Sequence, residues 1–173
     1  MSEDAIPDAT QASPLGRYGV AADDAQPLFE VTLRGVPVSL FLATRQQHDE
    51  LVREFTMMGL AHRDEEPGQP AEFRQLIHEF GVHYAIAAAR TDEEVEKAAR
   101  DGISFVDLHY QVPASVVGAA NSFESLITRT DVLCEEGHML TMPRTSQMKA
   151  LAHWWLEELR RQVAGEPPTR WSG

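Results

Sequence analysis

The sequence predicts an α+β fold, predominantly helical, in which about five helices pack with a small two-stranded sheet in the order βαααβαα. Three observations predict it. Two short stretches alternate apolar and polar residues with a period of two, while most other apolar residues recur at helical spacing. The chain has 173 residues, 43% of them hydrophobic and 24% charged, which is enough for one domain with a core and short for two. Two strands are weak alone, so the sheet must lean on the helices.

Residues 1–26 carry Pro7 and Pro14, scattered Ala and Asp and few apolar side chains, the composition of a disordered acidic tail. Over 28–34, Phe29, Val31 and Leu33 share one face and Glu30, Thr32 and Arg34 the other, the pattern of a half-buried strand that Gly35 would end. Pro37 suits the first turn of a helix. From 37 to about 59, Leu40, Phe41, Thr44, His48, Leu51, Val52, Phe55 and Met58 make one stripe, with an extended start through Leu42 as the alternative. A polar loop, 62–70, precedes a second helix over 71–89. Thr91-Asp92-Glu93-Glu94 is a capping-box pattern that opens a third, ending near Gly102.

The second strand spans 103–112, with Val106, Leu108, Tyr110 and Val112 on one face. Whether the strands pair parallel or antiparallel stays open. Pro113 opens a helix to about 136, with Val116, Ala120, Phe123, Ile127 and Cys134 inward and Gly137 past its end. The last helix starts at Pro143 and runs to about 164, with Met148, Leu151, Ala152, Trp155, Leu156, Leu159 and Val163 as its apolar face. The domain is thus expected over 27–165, and 166–173 reads as a C-terminal tail.

The formal net charge is −12. Such a surface repels phosphate backbones and anionic lipid heads, so nucleic acid and membrane surfaces are not expected partners. The single cysteine, Cys134, rules out an internal disulfide and fits a reducing compartment. No basic-then-apolar leader opens the sequence, and no apolar run nears the roughly 20 residues needed to span a bilayer. A cytoplasmic location is expected.

Motifs with catalytic mechanics are missing. There is no Gly-x-Ser-x-Gly elbow, no Gly-rich phosphate loop with Lys and no Gly-x-Gly-x-x-Gly. His78-Glu79 and His83 approach a zinc-protease pattern, but their spacing of five turns the two imidazoles about 140° apart on a helix. No catalytic, cofactor or metal residue is therefore assigned. His48 lies in an apolar stripe, where it reads as a hydrogen-bonded core histidine or as a sensing group; with Tyr110 it is the candidate for a ligand pocket between helices. Cys134 faces inward and reads as a small core hydrophobe. Trp154 and Trp155 cannot both enter one helix face. Trp155 takes the apolar stripe, and Trp154 falls beside Glu157 and Arg161, the composition of an interface hot spot; the competing reading packs it under the Pro167-Pro168 tail.

Three stretches look like parts of one family. Arg34-Gly-Val-Pro-Val-Ser-Leu-Phe runs on to His48-Asp-Glu-Leu-Val-Arg-Glu-Phe55. Tyr110-Gln-Val-Pro113 precedes Asp131-Val-Leu-Cys-Glu-Glu-Gly-His-Met-Leu-Thr141. Trp155 leads to Gly165-Glu-Pro-Pro-Thr-Arg-Trp171. Together, over roughly 28–171, they resemble an actinobacterial accessory domain found beside, or fused to, histidine-kinase-like ATP-binding anti-sigma regulators and STAS partner-switching modules. The Asn-bearing helix and Asp-x-Gly-x-Gly turn of the kinase-like ATPase fold are absent, so no nucleotide-binding residue carries over.

The resemblance implies a regulatory setting. The expectation is a non-catalytic cytoplasmic protein that binds a component of an anti-sigma or STAS system, an anti-sigma factor kinase or a STAS-domain antagonist, through Trp154, Glu157 and Arg161. The alternative is a small-molecule sensor with a pocket near His48 and Tyr110. A homo-oligomer is compatible with either.

Overall fold

In the computed structural model, which describes residues 27–61 and 91–173, β1 spans Leu28–Pro37 and β2 spans Phe105–Pro113. They pair antiparallel, with Leu28 opposite Pro113 and Pro37 opposite Phe105. Val31, Leu33, Leu108 and Val112 are buried on one face, and Glu30, Asp107, His109 and Gln111 are exposed on the other. The alternation in the sequence thus chose the faces correctly.

β1 outruns its expected end because Gly35 bends the strand instead of stopping it. Leu33 pairs with Leu108 and Val36 with Val106, so β1 carries one residue more than β2 between these pairs. Gly35 takes φ 70°, open to a residue without Cβ, and its N–H donates to the Asp107 carboxylate at 2.6 Å. The bulge returns Val36 to the buried face. Pro37 consequently closes β1 rather than opening a helix. Helix α1, Val38–Ala61, begins at once, with the Val38 N–H donating to the Ser104 carbonyl at 3.0 Å. The extended alternative through Leu42 is thereby excluded.

Three more helices follow among the described residues: α2, Thr91–Arg100; α3, Val116–Glu135; and α4, Ser146–Val163. The fold is α+β, with four helices described. The helix expected over 71–89, the 62–70 loop and the 1–26 segment lie outside the described residues. α3 starts three residues later than expected, because β2 claims Pro113. At its end Gly137 adopts φ 74°, and the His138 N–H reaches back to the Leu133 carbonyl at 2.9 Å, satisfying a carbonyl that the helix leaves unpaired. α4 starts after Thr145, not at Pro143, since the Thr145 hydroxyl accepts from the Met148 N–H at 3.2 Å.

The core gathers Leu33 and Leu108 from the sheet, Phe41, Leu51 and Phe55 from α1, Val95 from α2, Leu126 and Ile127 from α3, and Leu151, Leu156 and Leu159 from α4. Cys134 is buried, and burial pushes its thiol up. No helix among the described residues is long and apolar enough to cross a membrane.

Candidate functional site

The residues expected to line a pocket sit in aromatic packing. Trp155 stacks on Phe41 with ring centroids 5.5 Å apart, and the Tyr110 ring leans on Trp155 at 5.7 Å. His48 packs beside Phe123 at 6.2 Å. Burial first, and then the Arg144 guanidinium, push His48 down to about 3, so its imidazole is neutral around pH 7.

A groove of about 300 Å³ opens elsewhere, between α3 and α4, and neither His48 nor Tyr110 lines it. Ile127 and Leu156 supply apolar lining. Its ionic walls are paired internally. Arg144 forks onto Asp131 at 2.9 and 2.7 Å, Lys149 reaches Glu135 at 2.6 Å, and His153 meets Glu124 at 3.0 Å. These pairs tie α3 to the start and middle of α4. Among the described residues no three His, Cys, Asp or Glu side chains converge as a metal would require; His78, Glu79 and His83 lie outside those residues.

The expected interface triplet divides. Trp154 is not a free hot spot. Its ring meets Trp171 edge-on at 5.4 Å and packs against the core. Arg161 lies beneath the same segment, paired with Glu158 at 2.9 Å and with Glu166 at 2.7 Å. Glu157 remains exposed and meets Arg160 at 3.4 Å. Residues 166–171, read from sequence as a tail, are therefore part of the fold. Arg170 bridges Arg34 in parallel, and the Trp171 N–H donates to the Arg34 carbonyl at 2.9 Å.

Sequence reasoning missed the group that organises this corner, Glu158, which is 1% exposed. Its carboxylate accepts from the Thr169 N–H at 3.0 Å, the Thr169 hydroxyl and the Gln162 amide at 2.8 Å. Burial works to raise its pKa, but the Thr169 and Gln162 hydrogen bonds and the Arg161 charge outweigh it and hold the carboxyl below the usual range. Gln162 in turn covers the outer edge of β1: its amide donates to the Thr32 carbonyl at 2.9 Å and accepts from the Thr32 N–H at 2.8 Å. The signal was the i, i+3, i+4 spacing of Glu158, Arg161 and Gln162, which puts all three on one side of α4.

A second missed region is the 137–142 loop. Glu54 of α1 accepts from the Leu140 N–H at 2.6 Å, the Thr141 N–H at 2.8 Å and the Thr141 hydroxyl at 2.7 Å. Gln47 donates to the Met142 carbonyl at 3.2 Å. The backbone is held with Met139 turned into the core and its neighbours turned out: Leu140 is 92% exposed, Met142 75%, and Met57, one turn beyond Glu54, 70%. Nothing local marks this seam, because its partners are more than 80 residues apart in sequence.

The chain matches no family model, no curated protein and no solved structure.

Proposed function

We propose that this chain is a non-catalytic regulatory protein that works by docking onto another protein, and that the seam between α1 and the 137–142 loop is the docking face. The observation that carries this reading is the exposure of Leu140, Met142 and Met57 on backbone anchored by Glu54 and Gln47. A loop held in this way presents apolar side chains without the entropy cost of ordering them on binding. Methionines adapt to a partner surface as few other side chains do. Glu135 and Glu136 are exposed nearby on the chain, and the net charge is −12, so the partner should present an apolar pocket with a basic rim.

The resemblance of 34–55, 110–113, 131–141 and 155–171 to domains that accompany anti-sigma regulators supports a partner from an anti-sigma or STAS partner-switching system. The mostly paired charges of the α3–α4 groove favour protein contact over small-ligand sensing.

The test is capture of partners from the native host by the wild-type chain and by a Leu140→Ser/Met142→Ser variant, with mass spectrometry. A histidine-kinase-like or STAS protein retained by the first and lost by the second is expected. Equal capture by both would move the docking face elsewhere.

A further inference from the structure

The two edges of the sheet differ. The outer edge of β1 is closed: Gln162 meets both the N–H and the C=O of Thr32, and the Trp171 N–H meets the Arg34 carbonyl. β2 is open along its far side. Because the Thr32 backbone groups turn outward, Thr32 and His109 face each other without bonding, and the His109 N–H and C=O turn away from β1 in the same way. Alternation along β2, which carries no bulge, turns Asp107 and Gln111 out with it. Among the described residues no strand pairs with this edge, and no backbone hydrogen bond reaches those three residues from outside the sheet. We propose that the open edge of β2 is a homodimer interface, in which β2 of a second copy pairs antiparallel about a two-fold axis at His109 and the two sheets merge into one.

The sequence of β2 fits itself in this register. His109 meets His109 of the second copy, and Asp107 meets Gln111. Each such pair can exchange both of its N–H···O bonds, since no proline falls among the three residues. One Asp107 carboxylate oxygen accepts from the Gly35 N–H, which leaves the other for the facing Gln111 amide. The neighbouring registers fit worse. An axis at Asp107 brings two carboxylates face to face, and an axis at Gln111 sets Pro113, which has no N–H, opposite His109.

The apolar ends of the sheet point to the same arrangement. On the solvent face Phe105 is 55% exposed at one end, and Leu28 is 63% exposed at the other, opposite Pro113. The length of β2, roughly 25 Å at the usual rise of a strand, keeps the two apart within one chain. Antiparallel pairing brings Phe105 of each copy opposite Pro113 of the other, with Leu28 in the next strand, so both ends leave water together. An open edge strand invites uncontrolled pairing, and a two-fold contact closes it and leaves nothing to propagate. This contact uses β2, not α1 and the 137–142 loop, so it stands or falls apart from the docking seam.

Two measurements on the full chain decide the matter. Sedimentation over a dilution series reaching about 1 mM should show reversible dimers, since a contact this small is expected to be weak. Gln111→Asp sets carboxylates opposite each other at both ends of the pairing and should weaken the dimer at least about tenfold, whereas Gln111→Lys faces Asp107 with an ammonium and should tighten it about threefold or more. Gln111 is exposed, so both variants should fold like the wild type. Cysteine trapping reads the axis directly, because the chain's single cysteine, Cys134, is buried. His109→Cys places two thiols across the axis, with Cα atoms about 5.5 Å apart and within disulfide reach, while the two thiols of a Gln111→Cys dimer lie several rungs apart. Under mild oxidation the first should crosslink at least about tenfold faster than the second. A chain that stays monomeric throughout the series would overturn the proposal. So would equal crosslinking of the two cysteine variants, or dimers indifferent to the charge at position 111. Dimers lost in the Leu140→Ser/Met142→Ser variant would move the contact to the docking seam and overturn it as well.

Discussion

Two loops of this molecule are held by the same device and put to opposite use. Glu54 of α1 grips Thr141 by N–H and hydroxyl, and Glu158 of α4 grips Thr169 by N–H and hydroxyl. At Glu54 the grip turns Leu140 and Met142 outward. At Glu158 it draws Trp171 onto Trp154. The difference lies in burial and company. Glu158 is 1% exposed, with Gln162 and Arg161 completing its coordination, whereas Glu54 is partly exposed and serves mainly the loop backbone. A carboxylate clamp thus fixes where a chain segment lies, and the surrounding side chains decide whether the segment closes a surface or displays one.

The sharpest way to break the comparison is to remove each carboxylate. Glu158→Ala leaves the Thr169 N–H and the Gln162 amide without their acceptor, while Arg161 keeps Glu166, and should cost about 3 kcal/mol in urea melts, as lost buried charge-assisted hydrogen bonds do. Glu54→Ala leaves donors that water can reach, and should cost about 1–2 kcal/mol. Equal losses would mean that burial does not separate the two clamps.

Trp154→Ala probes the closed side from the other direction. It removes the Trp171 contact and packing against the core, so a loss of about 2–4 kcal/mol is expected, with Trp155→Ala at the top of that range or above it. A Trp154 variant that melts like the wild type would show that the Trp154–Trp171 contact contributes nothing to stability.

Acid separates the clamps from the core. Glu54 is also held below the usual carboxylate range, since the Leu140 and Thr141 donors outweigh the effect of burial. Folded-state values below the unfolded ones mean that both clamps contribute fully above the ordinary carboxylate pKa of about 4.3, and lose that contribution as pH falls through their folded values. His48 acts in a higher window. It stays neutral in the fold down to about 3 but takes a proton near 6.5 when unfolded, so stability falls as pH drops from about 6.5 toward 3. Between pH 7 and 5 this should amount to about 2 kcal/mol, and His48→Gln should flatten the slope there while leaving the fall below pH 4.5. An unchanged slope in the variant would show that His48 is not the group responsible.

The smallest expected effect on the fold belongs to the displayed side. Leu140→Ser/Met142→Ser should change stability by less than about 0.5 kcal/mol, since both side chains already face water. Binding to the captured partner should nevertheless weaken by about 2 kcal/mol or more. A large loss of stability would mean that these residues pack against something in the monomer.

Much of the architecture was legible in the residues. Alternation placed Val31, Leu33, Leu108 and Val112 on the buried face, and helical spacing found Phe41, Leu51, Phe55, Ile127, Leu151 and Leu159. Such patterns are local: each residue's side follows from its own position in a strand or helix, so a one-dimensional reading recovers it. Punctuation was less legible. Gly35 and Pro37 read as a strand end and a helix start, but a glycine also admits a bulge, and only the partner strand decides between them.

What tertiary structure alone decided was the fate of the polar and exposed groups. Glu158, which the sequence reading passed over, is buried, because Thr169 and Gln162 bring it donors. Trp154 read either as an open hot spot or as packed under the C-terminal tail, and it lies under Trp171 of that tail. Leu140 and Met142 lay in an unremarked link and are the most exposed large apolar side chains described. The physical reason is that an apolar side chain's place follows from local periodicity only where a core forms over it, whereas a buried carboxylate needs donors at hydrogen-bond distance, and the Thr169 donors to Glu158 arrive from a segment the helix pattern does not contain.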